Sequence, residues 1–171
     1  MKVLVIGDIV IDKYITGTST RLSPEAPVPV VSQQDAWEQW GGAYLVYLNL
    51  LNLGVNVEML DLSSPKCIKT RVLCDGHYVT RIDQDYKTDG SVALNKIYEK
   101  DFSAYDVVIL SDYNKGVLDY SQQIIEHINK YNCKIIVDPK RHFNFYQGAW
   151  LVKPNKKEFE ELGFTNWTGN I

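Results

Sequence analysis

Short apolar runs separated by polar, glycine-containing turns dominate the chain. The first run, "KVLVI" (residues 2–6), is continuous and stops at Gly7-Asp8. A run of that length with no polar face predicts a buried parallel strand opening into a loop. "VPVV" (28–31) and the polar-aromatic "SQQDAWEQW" (32–40) predict a pair of exposed strands. "AYLVYLNLLNLG" (43–54) is almost wholly apolar and closes on a glycine, the pattern of a buried helix with a glycine C-cap. "VNVEML" (55–60) reads as a second core strand. In "TRVLCDGHYVTRID" (70–83), Asp75-Gly76 sits between two alternating runs, the strongest local hairpin signal in the chain. Then "ALNKIYEKD" reads as helix, "YDVVILSDY" as buried strand and "DYSQQIIEHINKY" as amphipathic helix. "CKIIVD" and "GAWLVKP" are further strands, and "NKKEFEEL" (155–162) is a final helix.

Strand and helix in alternation predict an α/β domain, a parallel sheet with helices on both faces. The exposed strand pair and the Asp-Gly hairpin do not fit that layer and predict a small appended sheet. The segment "RLSPEAPVPVV" (21–31) belongs on an edge, because its three prolines cannot donate to a ladder. No repeat or low-complexity linker divides the 171 residues, so one domain is expected. The net charge is −3 and no Lys/Arg cluster stands out, which argues against a nucleic-acid or membrane-surface protein. Asp8 and Asp12 interrupt the first apolar run too early for a signal segment, and no stretch is long enough to span a bilayer. Three cysteines (Cys67, Cys74, Cys133) without C-x-x-C spacing suit a reduced, cytoplasmic protein.

Ligands of open α/β sheets gather outside the carboxyl ends of the strands. Four such ends are polar here: "VIGDIVID" with Asp8 and Asp12, "ILSDYNKG" with Ser111, Asp112, Lys115 and Gly116, "IVDPK" with Asp138 and Lys140, and "LVKPNKKE" with Asn155 and Glu158. Carboxylates, amides and lysines converging on one edge suit a polyhydroxylated, phosphorylated ligand. Each also has a purely structural reading. Asp8 can form an Asx turn, Gly41-Gly42 can start a helix, and Lys115 and Lys140 can be solvated turn lysines. Asn155-x-x-Glu158 has the spacing of a capping box. Trp37 and Trp40 suggest either a partner surface or packing over the chain's own sheet. His77, His127 and His142 share no ligand spacing, so no histidine metal site is expected.

Together these motifs resemble the N-terminal part of the ribokinase/PfkB-type sugar kinases. Within them they are most similar to the D-glycero-D-manno-heptose 7-phosphate kinases, the kinase half of the bifunctional ADP-heptose synthesis enzymes. The resemblance rests on "VLVIGDIVIDKY", "TRLSPEAPVPVV", "GGAYLVYLNLLNLG", "KTRVL", "VVILSDYNKGVL", "IIVDPK" and "LVKPNKKEFE". It implies a ribokinase-like domain with a β lid at about 12–40 and 68–83. It implies that Asp12, Gly41 and Gly42 hold sugar hydroxyls, and that Lys115 and Arg71 lie near the sugar phosphate. It implies further that Lys140 lies toward the phosphates of ATP and that Asn155 and Glu158 organise Mg²⁺ through water. It also implies a homodimer formed through the lid.

The chain departs from the family pattern at three places. "GGAYL" puts Leu45 where the family's sugar-binding asparagine stands, and leucine neither donates nor accepts. Only "SSPK" (63–66) remains where the family has a longer, helix-containing segment. The "GAGD" motif, with its anion hole and aspartate base, does not occur. The resulting expectation is a truncated ribokinase-like domain, 1–171, without its own catalytic base. It would be a sugar-phosphate kinase of the heptose type dependent on a separate chain for the other half. The alternative is a non-catalytic relative that binds a sugar phosphate or a kinase through its lid.

Overall fold

The computed structural model describes residues 1–161. The chain builds two sheets that share a junction at Asp8. The larger is a five-stranded, all-parallel sheet of β1 (Lys2–Gly7), β4 (Asn56–Leu60), β7 (Val107–Ser111), β8 (Lys134–Asp138) and β9 (Leu151–Val152), in the order β4-β1-β7-β8-β9. The smaller holds β2 (Ile9–Thr18), β3 (Ser32–Gly42), β5 (Cys67–Cys74) and β6 (His77–Gln84), in the order β3-β2-β5-β6. This is the expected parallel α/β layer with a separate small sheet.

Alternation along β1, β7 and β8 divides the apolar side chains between two layers. Leu4, Ile6, Val108, Leu110, Ile135 and Val137 point to one face. There they meet α2 (Gly90–Tyr98) through Ala93 and Ile97, and α3 (Ser121–Ile128) through Ile124, Ile125 and Ile128. This is the main core. Asp89 caps α2, its carboxylate accepting from the N–H groups of Ser91 and Val92. On the other face Val3, Val5 and Val57 pack under α1 (Ala43–Asn52).

Helix α1 corrects the expectation of a buried helix. Only Ala43 is buried, while Leu45 and Leu51 are about half exposed, at 50% and 47%. One stripe of an all-apolar helix covers β4 and β1, and the rest faces outward. Its C-terminus does follow the glycine signal. Gly54 takes φ 76°, and the N–H groups of Gly54 and Val55 donate to Leu51 and Leu50 carbonyls, a Schellman closure.

A second correction concerns the exposed strand pair. "VPVV" is not a strand, and β3 pairs instead with β2, from Ile9↔Gly42 to Thr18↔Ser32. Prolines 27 and 29 have no N–H to give, and the segment makes only a local loop closed by a Leu22–Pro29 bridge. The turn after β1 is likewise shorter than expected, since only Asp8 separates Gly7 from the start of β2. The Asp75-Gly76 hairpin forms as read, both residues having positive φ (50° and 80°) between β5 and β6. Beyond β9, α4 (Lys156–Glu161) opens the last predicted helix, whose final residue Leu162 lies outside the described residues. Among the described residues no helix is long and apolar enough to cross a membrane.

Candidate functional site

The carboxyl ends of β1, β7, β8 and β9 lie along one edge of the parallel sheet, and the second sheet begins directly from the first of them. Asp8 makes that junction and is buried. Its Oδ2 accepts from the N–H groups of Tyr113 and Lys115, and its Oδ1 from that of Val117, all at 3.0 Å. Burial pushes its carboxyl above the ordinary aspartate range, against the pull of those three backbone donors. Asp8 therefore shapes the loop that carries Lys115, and its oxygens face that loop. Its carbonyl also accepts from Ala43 N at 3.0 Å, which starts α1. Gly42 lies against that carbonyl with φ 62°, and a Cβ there would come 2.4 Å from the Asp8 oxygen. Only glycine fits this corner.

Asp12 and Arg71 stand on one face of the parallel pair β2 and β5, two residues apart in register. Arg71 Nη1 donates to Asp12 Oδ1 at 2.5 Å, and the guanidinium lies over the Tyr14 ring, 5.3 Å from its centre. The hydrogen bond from Arg71 to Asp12 holds the guanidinium's pKa above its ordinary value. Gly41 shares that face of the sheet. A Cβ on it would lie 2.7 Å from Asp12 Oδ2, so the missing side chain makes room for the carboxylate. Trp37 stacks on Tyr14 across the β2–β3 pair, 5.2 Å between ring centres. Trp40 points to the opposite face beside Tyr44 and under Lys66. Both tryptophans remain about two-fifths exposed (41% and 43%) after this packing.

A second group gathers beyond β8 and β9. Asp138, Lys140, Asn155 and Glu158 line a cleft of about 220 Å³. Asn155 and Glu158 form the reciprocal capping box: Asn155 N–H donates to Glu158 Oε2 and Glu158 N–H to Asn155 Oδ1, each at 2.9 Å. Glu158 keeps Oε1 for Lys140 Nζ at 3.8 Å. Burial, reinforced by the charge of Glu158, pushes the Asp138 carboxyl up. Lys115 stands apart from this group. Its Nζ reaches Asp85, beyond β6, at 2.6 Å and so ties the β7 loop to the second sheet.

Tyr113 also lines the strand-end cleft and was not singled out from the sequence. Its phenol is held above its ordinary pKa by burial and by the charges of Asp138, Asp12 and Glu158. It lies within electrostatic reach of the Asp12 pair on one side and the Glu158 cleft on the other. The structure thus brings Asp12, Gly41 and Arg71 together, and separately Lys140, Asn155 and Glu158, with Tyr113 lining the cleft of the second group. Leu45 is half exposed on α1 and offers no polar atom to either group. His127 packs among Tyr98, Phe102 and Tyr131, and His142 Nδ1 accepts from Asn144 N–H. Among the described residues no three His, Cys, Asp or Glu side chains gather as a metal-binding cluster.

The two sheets and their order define a ribokinase-like fold. Solved structures with the same arrangement include phosphofructokinase-2 from Escherichia coli (TM-score 0.57, 13% identity, covering 94% of this chain and 63% of that one). Ribokinase from Thermotoga maritima also matches (TM-score 0.52, 16% identity, covering 94% and 61%). In sequence, the chain is related to the proteins named Bifunctional protein HldE. It is 35% identical to that of Pasteurella multocida and 36% to that of Actinobacillus pleuropneumoniae serotype 5b, each over 94% of this chain. The chain spans 40% of the length of these curated relatives. The alignments run over 191 positions, more than the 171 residues present, so the relatives carry insertions relative to this chain. No protein-family model matches. The chain is therefore ribokinase-like in fold and similar in sequence to part of HldE, as the motifs led us to expect.

Proposed function

We propose that this chain forms the sugar-phosphate side of a heptose 7-phosphate kinase. The observation that carries the reading is the Asp12–Arg71 pair set against Gly41 on one face of the second sheet. A carboxylate accepts from sugar hydroxyls, while a guanidinium held beside it offers its remaining N–H groups to a phosphate. On this reading the second sheet is the lid. Asp12 and the backbone at Gly41 and Gly42 orient the sugar. Arg71 and Lys115 take its phosphate, Lys115 by exchanging Asp85 for the ligand.

The strand-end cleft supplies the other side. Lys140 would neutralise phosphate oxygens of ATP. The donor set of Asp138 and Glu158 Oε1 is all oxygen and suits Mg²⁺ held partly through water, with Asn155 fixing Glu158 by the capping box. Bound there, Mg²⁺ would supply charge stabilisation of the transferring phosphoryl group. The reaction is in-line transfer of the ATP γ-phosphoryl to a sugar hydroxyl. The proton of that hydroxyl needs a base, and none of the residues assigned here takes it. We place the base outside the described residues, on a "GAGD" segment that covers the same edge.

A second reading has its own support. The opposite face of the lid carries Ile11, Ile15, Val72 and Ile82 in alternation with the polar face, and Ile82 and Trp40 are about half exposed, at 54% and 43%. That face, together with Leu45 in place of a polar sugar ligand, favours a non-catalytic sugar-phosphate binder dimerising through its lid. A thermal-shift panel of heptose 7-phosphate, other sugar phosphates and ATP tests the reading. Stabilisation by heptose 7-phosphate that disappears in Arg71→Met supports it, and no stabilisation by any sugar phosphate overturns it. Turnover of ATP by the purified chain alone would overturn the assignment of the base elsewhere.

A further inference from the structure

The loop that carries Lys140 is held from below by Asp112 together with Arg141 and Tyr146, two residues that no motif singled out. Asp112, at the end of β7, has its side chain 1% exposed, and Tyr146, in the short 3₁₀ turn Phe143–Tyr146, is 1% exposed overall. Three donors converge on Asp112 Oδ2: Arg141 Nε at 2.9 Å, Arg141 Nη2 at 2.7 Å and the Tyr146 hydroxyl at 2.6 Å. Asp112 Oδ1 accepts from Asn114 N–H at 2.6 Å, within its own loop. Arg141 Nη2 also donates to the Leu118 carbonyl, and Nη1 lies 3.7 Å from the Asp119 carboxylate. The Tyr146 oxygen in turn accepts from the backbone N–H groups of Lys140 at 3.2 Å and Arg141 at 3.1 Å.

This arrangement links two loops. Residues 112–119 carry Lys115, and residues 139–146 carry Lys140. Burial and the neighbouring Asp112 carboxylate push the Tyr146 phenol up to about 12, so the hydroxyl keeps its proton and continues to donate to Asp112. Both lone-pair directions of that oxygen face the peptide N–H groups at 140 and 141. The backbone of Lys140 is thus fixed by an oxygen whose orientation a buried ion pair sets, while the Lys140 ammonium projects toward Glu158.

We infer that Asp112, Arg141 and Tyr146 act as a positioning interlock, holding the Lys140 backbone so that its ammonium meets a polyphosphate in the strand-end cleft. The inference rests on the assignment of Lys140 proposed above. Asp112 borders that cleft but is almost wholly buried, its carboxylate taken up by Arg141, Tyr146 and Asn114. The effect of the interlock passes through Lys140, which separates this role from general stabilisation.

The test is a double-mutant cycle on the 171-residue chain, with inorganic tripolyphosphate at low ionic strength as the probe and calorimetric titration as the readout. Tyr146→Phe keeps the buried ring and removes the oxygen. It removes both hydrogen bonds to the loop and is expected to weaken binding about tenfold, on the scale of the one bond that holds Lys140 itself. In the Lys140→Met background the same change is expected to do less than about twofold. Hydrogen exchange of the Lys140 and Arg141 amides is expected to accelerate in Tyr146→Phe. If Tyr146→Phe does not fold, Arg141→Met carries the same cycle. Equal weakening in both backgrounds, or unchanged binding in Tyr146→Phe, overturns the interlock and leaves Lys140 assigned. Unchanged binding in Lys140→Met alone overturns the assignment of Lys140, and the interlock with it.

Discussion

Replacing Asp8 by alanine should unfasten the edge on which the account depends. Its carboxylate accepts three backbone N–H groups, and two of them, at Tyr113 and Lys115, are part-buried and can turn to water. The third, at Val117, is buried and would be left without a partner, at a cost of about 1–3 kcal/mol. The two part-buried bonds add about 1 kcal/mol each. Against these stands the relief of taking a charge out of a buried site, which offsets part of the loss. The net expectation is destabilisation by about 3 kcal/mol, or a fall in Tm of about 6–12 °C for a domain of this size. Thermal and urea unfolding followed by far-UV circular dichroism measure it. Hydrogen exchange should show the amides of Tyr113, Lys115 and Val117 losing protection ahead of the sheet. A fall of less than about 2 °C, with those three amides unchanged, would refute the account of Asp8 as the clamp of the Lys115 loop.

Asp8 also sets a pH dependence. Its folded-state pKa is raised, so the folded chain binds this proton more tightly than the unfolded chain. The stability of the native chain relative to Asp8→Ala should therefore fall as pH rises from the ordinary aspartate value through the raised one, and urea midpoints at stepped pH would show the slope. Gly41→Ala meets a side-chain end, Asp12 Oδ2 at 2.7 Å, and otherwise only an ordinary contact with the Val10 oxygen at 3.4 Å, so it should fold with about 1 kcal/mol lost while the displaced Asp12–Arg71 pair lowers sugar-phosphate binding. Gly42→Ala meets a backbone oxygen at 2.4 Å with φ 62° and should cost about 2–3 kcal/mol in unfolding experiments. Asn155→Ala removes one half of the capping box and should loosen the first turn of α4 by about 1 kcal/mol, read as faster exchange of the Glu158 amide.

Much of the α/β layer was legible because its strands are continuous apolar runs and its turns carry glycine or an N-cap aspartate. The second sheet was harder. Residues 9–18 mix apolar and polar positions, and the apolar content of "VPVV" made it look like the better partner for β3. The missing proline N–H groups decide otherwise. Helix α1 misled for a different reason: hydrophobicity on every side reads as burial, yet this sheet face offers it only one stripe of contacts. At the site, residues at strand ends could be found because topology alone places them on one edge. What they touch could not. Whether Asn155 caps Glu158 depends on side-chain rotamers, and both halves of that box form. Tyr113, Tyr146 and Arg141 carry no motif signal. Their importance comes from a meeting of two loops some thirty residues apart in sequence.

The central claim is that the face bearing Asp12, Gly41 and Arg71 receives the sugar phosphate. Its most direct test is a nitrogen-15 NMR titration of the chain with D-glycero-D-manno-heptose 7-phosphate. The account predicts saturable shifts at the Gly41 and Gly42 amides and at the Arg71 side-chain Nε–H, all lost in Asp12→Ala. Saturable shifts confined to other surfaces, or none at all, would contradict it.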